Sequence, residues 1–196
     1  MQFAYRGQHA KNDNRLLKSV LGLIIMVVAV VLLSTFLHNY VFQAYQIPSS
    51  SMSPTIRVND MLLSEKLSYA FGEVKQGDIV TFYDQTMAIG EEKTLIKRVI
   101  AVGGQTIDIH DGNVYVDGVM LDEPYTHGLR TMLPSSSAEV SVQITYPYTI
   151  PEGYFWAMGD NRTNSQDSRY FGAVPQSALT GKAFVLYWPF EHFVFF

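Results

Sequence analysis

Ser49, Ser50, Ser51 and Ser53 sit between Pro48 and Pro54, and Lys97 sits inside the apolar run Leu95-Ile96-Lys97-Arg98-Val99. Further along, Gly159-Asp160-Asn161-Arg162 opens a dense polar loop that runs to Ser168-Arg169. A hydroxyl, an amine among apolar neighbours and a charged loop suggest a serine–lysine protease, because a serine needs a base to take its proton. The histidines (His9, His38, His110, His127 and His192) fall in no triad pattern, and no Gly-x-Ser-x-Gly elbow occurs. The chain has no cysteine, which excludes a thiol nucleophile, a disulfide framework and a cysteine zinc site.

Each segment has a second reading. Pro54 removes a backbone donor and biases Ser53 away from helix, and Pro48 does the same to Ile47. The serines are therefore held extended or turning, which presents their hydroxyls and nearby N–H groups. The same composition also fits a polar linker. In a strand, Leu95, Lys97, Val99 and Ala101 share one face while Arg98 points to the other. Burial there disfavours the ammonium and moves the amine from about 10.4 toward neutrality, as a general base requires. A lysine that snorkels to water is the alternative. The Asp/Asn-rich loop makes tight turns, and its acids and arginines can pair internally. It also fits a solvated, calcium-like polar loop.

The elements that must position these groups are a helix and many short strands. Ser19 to Leu37 carries no charge and, as a helix, spans roughly 28 Å, close to the ~30 Å hydrocarbon core. Bulky His38-Asn39-Tyr40-Val41-Phe42 follows, a poor cleavage site, so the run reads as an uncleaved anchor. Arg6, Lys11, Arg15 and Lys18 precede it against Asp13 alone, which keeps that arm cytoplasmic by the positive-inside rule and puts the rest outside the cytoplasm. The arm therefore carries +3 of a net charge of −4 and the body of the chain −7, and an acidic body disfavours nucleic acid. The expected organisation is an arm over 1–18, an anchor over 19–38 and a β-rich domain over 39–196.

Within that domain, strands are expected at 78–83, 94–102, 154–158 and 183–188. Asp111-Gly112 and Asp117-Gly118 separate 106–110, 113–117 and 119–121 into a meander. Val140, Val142, Ile144 and Tyr146 alternate with Ser141, Gln143 and Thr145 as a further strand, within a small β excursion over 105–150. Residues 61–70 read as a short strand or a helix, and Pro134-Ser135-Ser136-Ser137 as a loop. Tyr187 to Phe196 is heavily aromatic; its beginning suits a last core strand and Phe190 to Phe196 suits a membrane interface.

In this order the three segments resemble those of the bacterial type I signal peptidases, or leader peptidases, of the compact single-span kind. The serine motif matches over Pro48, Ser49, Ser51, Met52, Pro54 and Thr55. The lysine segment matches over Ile96 to Val99 with Gly103, and the loop from Gly159 through Tyr170-Phe171-Gly172 to Val174-Pro175. Asn113 to Gly118 and Asp122 to Tyr125 also resemble compact members. The resemblance implies a mostly-β, closed or nearly closed barrel-like catalytic domain on one N-terminal transmembrane helix.

The resemblance also implies roles. Ser51 is the nucleophile and Lys97 its base. Ser49 joins the Ser51 N–H in an oxyanion hole, and Ser165 hydrogen-bonds and orients the Lys97 amine. Asp160 and Asp167 with Arg98, Arg162 and Arg169 form a salt-bridge frame. Tyr45, Ile47, Met52, Ile56, Leu95 and Ile96 line pockets for small residues, and an aromatic beside the lysine in other members is Leu95 here. The implied substrate is the signal peptide of an exported preprotein, cut after Ala-x-Ala and bound as an added strand flanked by 45–49 and 94–97. No cofactor and no metal are implied; the partners are signal peptides, the bilayer and, by extension, the secretion translocon. A non-catalytic relative serving membrane assembly is the alternative, although such proteins lack the serine or the lysine. A self-cleaving repressor of the same chemistry would need a helix-turn-helix where this chain has an anchor.

Overall fold

The computed structural model describes residues 6–84, 93–135 and 142–196, with side chains from residue 15 onward. The chain divides into two units, Met1–Val41 and Phe42–Phe196. The first is helix α1, Arg6–Phe36, followed by a wider helical turn over Leu37–Val41. Its apolar side chains from Val20 to Leu33 are all at least half exposed, so the helix is apolar on every side. That pattern, with its length, suits a bilayer crossing rather than one buried stripe.

The second unit is mostly β. Its main sheet contains β1 (Phe42–Gln46), β2 (Met61–Glu65), β3 (Ile79–Tyr83) and β4 (Thr94–Val102). A smaller sheet follows, of β5 (Thr106–His110), β6 (Asn113–Val116), β7 (Val119–Met120) and β8 (Tyr148–Thr149). The chain then returns to the main sheet with β9 (Tyr154–Met158), β10 (Val174–Pro175), β11 (Leu179–Trp188) and β12 (Val194–Phe195). Two single-turn helices, α2 (Ser68–Phe71) and α3 (Ser168–Phe171), complete the unit. Segment 61–70 is thus a strand that ends in a helical turn.

The main sheet runs β1-β2-β11-β3-β4-β9-β10, with β12 added to β11, and the small sheet runs β7-β6-β5-β8. All pairings are antiparallel. Among the described residues β1 and β10 do not pair, so the expected closed barrel is an open sheet with two edges. The outermost pairing, β10 on β9, is only two residues long, too short a ladder to carry the sheet round to β1.

Three apolar clusters hold the unit. Ile100, Ala101, Trp156 and Met158 of the main sheet pack with Ile107, Ile109, Val114 and Val116 of the small one. Val80, Phe82, Val99, Phe155 and Ala157 form the second cluster. The third places Ile47, Met52 and Ile56 against Leu62, Ile79, Ala183 and Leu186. A register shift between Val99 and Ala101 in the β4–β9 pairing leaves an extra residue at Ile100. Leu95 and Val99 stay together, whereas Ala101 crosses to the other cluster. The expected common face of Leu95, Lys97, Val99 and Ala101 therefore ends at the bulge.

The alternation expected over 140–146 shows up only in part, as burial without a ladder. Ile144 and Tyr146 are half-buried against the first cluster while Gln143 and Thr145 are exposed, but Val142, expected on the buried face, is exposed too, and the strand is Tyr148–Thr149. Proline at 147 has no donor to continue a ladder; Val140 and Ser141 lie outside the described residues, as do Ser136 and Ser137 of the expected loop.

Candidate active site

Residues 47–60 leave β1 as an excursion and return to β2. Ile47 N–H donates to Asp60 O at 2.9 Å and Asn59 N–H to Ile47 O at 2.9 Å, closing its base. Inside it, Ser53 N–H donates to Ser50 O at 3.0 Å and Ile56 N–H to Met52 O at 3.0 Å, so Ser51 rides on a tight turn. Met52 is 2% exposed and Ile56 fully buried. A solvated linker would not bury these side chains, so the linker reading is set aside for this segment.

Lys97 is 3% exposed, which sets the snorkelling reading aside. β4 pairs with β3 from Thr94 to Arg98, fixing Lys97 opposite Val80. Its Nζ lies 2.8 Å from Ser51 Oγ and 3.1 Å from Ile96 O. Burial pushes the amine down to about 8, against the pull of Asp167 in the other direction. Ser49 Oγ lies 3.4 Å from Ser51 Oγ and is exposed.

The polar loop grips the serine turn through its backbone. Asn161 N–H donates to Ser51 O at 3.0 Å, Asn161 Nδ2 to Ser50 O at 3.1 Å and Asn164 Nδ2 to Ser50 Oγ at 2.9 Å. Gly159 makes this approach possible: a Cβ there would fall 2.4 Å from both Ser51 O and Ser165 Oγ. The amides of Asn161 and Asn164 belong to the quoted loop, but nothing in their spacing showed which backbone they would reach.

The expected frame exists, with one exchange of partners. Arg98 Nε and Nη2 hold Asp160 in two parallel bonds of 2.8 and 2.7 Å, and Thr55 Oγ1 donates to Asp160 Oδ2 at 2.6 Å. Arg169 Nε and Nη2 hold the fully buried Asp167 at 2.8 Å each, and Gly159 N–H adds a bond of 3.0 Å. Burial alone would raise the Asp167 carboxyl, but Arg169 and the Gly159 N–H more than reverse it and hold it below the usual range.

Arg162, expected to pair with these aspartates, instead clasps Glu123 with both Nη atoms and donates to Thr131 Oγ1 at 2.7 Å. Both aspartates already have a forked arginine, and Arg162 Nε donates to Gly159 O at 3.0 Å, which directs the side chain toward Glu123. Glu123 was the missed member; its only signal was membership of Asp122-Glu123-Pro124-Tyr125.

Two further assignments change. Ser165 is buried with its hydroxyl on the Asp167 side, where it helps to hold that carboxyl below the usual range. The expected Ser165–Lys97 bond is not formed, and Lys97 takes the Ile96 carbonyl instead. Tyr45 belongs to β1, opposite Leu62, and its hydroxyl lies 3.5 Å from Thr180 Oγ1. It does not line the cleft, because the chain bends into the excursion after Gln46.

That cleft measures about 860 Å³. Ile47, Met52 and Ile56 from the excursion and Leu95 and Ile96 from β4 line it around Ser51 and Lys97. Tyr170 and Phe171 contribute aromatic surface, and Asp84 and Lys93 also line it. β4 meets β9 only from Arg98 onward, so one edge of Thr94–Lys97 has no strand partner among the described residues. Such an edge is a template for an added strand.

The Arg162 guanidinium is wholly buried against Glu123, and removing one partner of such a pair leaves an uncompensated charge. Glu123→Ala should lower unfolding stability by about 3–5 kcal/mol, with Glu123→Gln intermediate. Urea unfolding of the two variants checks this; an unchanged midpoint for the alanine variant would mean the pair does not hold the loop.

The chain is similar to known proteins over most of its length. The family model described as "Signal peptidase, peptidase S26" matches residues 17–188. The probable signal peptidase I-2 of Synechocystis sp. is 38% identical over 167 residues, covering 83% of this chain and 70% of that protein. The signal peptidase I of Bacillus caldolyticus is 33% identical over 171 residues, covering 86% of this chain and 91% of that one. A crystal structure of a signal peptidase I from Enterococcus faecalis V583 aligns with a TM-score of 0.44 at 29% identity, covering 56% of this chain and 96% of that one. With matches of this extent, the chain belongs to the signal peptidase family, peptidase S26.

Proposed function

We propose that this chain is a membrane-anchored serine endopeptidase that removes N-terminal signal peptides from exported preproteins, with Ser51 as nucleophile and Lys97 as general base. One observation carries the reading: a lysine amine 3% exposed and 2.8 Å from a serine hydroxyl, inside an open cleft. The family supports the reaction class.

In the resting state the Lys97 ammonium donates to Ser51 Oγ. Once deprotonated, the Nζ lone pair takes the hydroxyl proton as Oγ attacks the scissile carbonyl. The charge that develops on the carbonyl oxygen is met by the Ser51 N–H and the Ser49 hydroxyl, and Lys97 then returns the proton to the leaving amine. Asp160 and Asp167 stay ionised and paired, fixing geometry rather than moving protons. The cleft walls Ile47, Met52, Ile56, Leu95 and Ile96 select small residues one and three positions before the cut. The unpaired edge of Thr94–Lys97 supplies main-chain hydrogen bonds to the substrate.

The apolar helix α1 confines the enzyme to the membrane in which signal sequences lie, with its basic arm cytoplasmic and the β unit outside. The arm, the anchor and the body divide near residues 18 and 38. Exposed Phe190, Phe193 and Phe195 are of the type that settles at the bilayer interface.

Detergent-solubilised protein should cut a preprotein after Ala-x-Ala, and Ser51→Ala should not. Lys97→Arg should be nearly inactive although it keeps the charge, because a guanidinium does not deprotonate. Mass spectrometry of the products checks both; turnover by either variant removes that residue from its role. Ser49→Ala should lower kcat roughly 100-fold with KM little changed, as for a group used in the transition state. A change in KM alone would make Ser49 a binding residue.

Only the neutral amine acts as base, so kcat/KM should rise with pH and level off above about 8, where Lys97 has lost its proton. A flat profile from pH 6 to 9 would contradict this.

A further inference from the structure

The excursion that carries Ser49 and Ser51 is held at its base from a second direction. Asp60, 1% exposed, ends the excursion. Its backbone O accepts the Ile47 N–H, and Ile47 is both a cleft wall and two residues from Ser49. Its Oδ2 accepts the Arg57 N–H at 2.7 Å. Its Oδ1 lies 2.8 Å from His192 Nδ1, and His192 Nε2 lies 2.7 Å from Arg57 Nη1.

A guanidinium only donates, so Nε2 accepts, and the ring carries its proton on Nδ1 and donates it to Asp60. Asp60, His192 and Arg57 thus close a ring of three residues, completed by the Arg57 backbone N–H. His192 stands on the single turn Phe190–His192, which the β11–β12 pairing of Val185 with Phe195 and Leu186 with Val194 ties back to the main sheet.

The excursion has few other backbone bonds at this end. Pro48 and Pro54 contribute no N–H, and Asn59 holds a left-handed φ of 71°. On its far side the polar loop secures it through Thr55–Asp160 and Asn161–Ser51. His192 is absent from the cleft lining and instead borders a separate shallow pocket with Pro54, Thr55 and Arg57. Its effect on the serine therefore passes through the end of the excursion, where Asp60 and Arg57 are the residues it bonds.

We propose that His192 is a positioning residue for the serine segment: through Asp60 it clamps the base of the excursion and so sets where Ser49 and Ser51 stand. The catalytic half of this statement rests on the roles of Ser51 and Ser49 given above. The Nδ1–Asp60 bond is the clamp, and the Nε2–Arg57 bond fixes the tautomer.

The two amide isosteres separate these bonds. His192→Asn places an N–H where Nδ1–H stands, whereas His192→Gln reaches the Nε2 position and leaves Asp60 Oδ1 unpaired. Turnover of an Ala-x-Ala preprotein and amide hydrogen exchange are measured on the full chain in detergent. The asparagine variant should keep kcat within about twofold, while the glutamine variant loses roughly tenfold in kcat with KM little changed, the signature of misplacement.

In the glutamine variant alone, exchange at Ile47 and Asn59 should speed roughly tenfold while the amides of β9 stay protected. Glutamine matching asparagine in kcat and in exchange would overturn the proposal. So would exchange that rises equally in β9, which would mean general loosening. If wild type cuts no preprotein, the proposed function fails and takes the catalytic half with it; exchange at Ile47 and Asn59 still decides the clamp.

Discussion

An amine that is to take a proton from serine must be kept out of water, and the rest of the β unit can be understood as the means of keeping Lys97 there. Its pKa falls from 10.5 to about 8 through burial, so carrying it costs about 3 kcal/mol of stability below pH 8. The sign follows from proton counting. The unfolded chain binds the proton up to about 10.5 and the folded chain only up to about 8, so the cost fades as pH rises between the two. The apolar clusters around β3 and β4 must supply that energy. Nearby charges are neutralised in forked pairs, Arg98 with Asp160, Arg162 with Glu123 and Arg169 with Asp167, which limits how far any one of them can pull the amine back toward its ordinary value.

The second constraint is placement of the hydroxyl. A serine on an excursion between prolines has little secondary structure to hold it, so its position comes from side chains on other elements. Met52 and Ile56 bury beneath it, Asn161 binds the Ser50 and Ser51 carbonyls, Asn164 binds the Ser50 hydroxyl, and Asp60 closes the base of the excursion. Gly159 lets the polar loop come close enough to do this. The polar loop is dense in Asp, Asn and Arg because these side chains satisfy one another and their neighbours: Asn161 and Asn164 bind Ser50, Asp160 takes Arg98 and Thr55, Arg162 takes Glu123, and Asp167 pairs with Arg169.

Much of this could be read from the chain because it is local. Strands β4, β5 and β9 have the limits their alternation and Asp-Gly turns predict, and the apolar run forms one long helix. Ser51 and Lys97, 46 positions apart, lie within hydrogen-bonding distance. What escaped depends on closure in space. The sheet stays open, because edge pairing is a tertiary outcome that no strand pattern carries. Arg162 finds Glu123, 39 positions away, rather than the aspartates near it in sequence. The bulge at Ile100 moves Ala101 to another cluster, Tyr45 turns out of the cleft, and Ser165 is buried beside Asp167 without reaching Lys97. Period and propensity fix which way a side chain points along its own strand, not which partner waits there.

The central claim is that Lys97 is a buried base, uncharged at mildly alkaline pH. The direct measurement is the NMR titration of its side-chain nitrogen in 15N-lysine-labelled protein, with the resonance assigned by its loss in Lys97→Arg. The account predicts a midpoint near 8, well below that of the surface lysines. A midpoint near 10.5, with the other lysines, would mean that Lys97 is an ammonium throughout the working range and cannot be the base for Ser51.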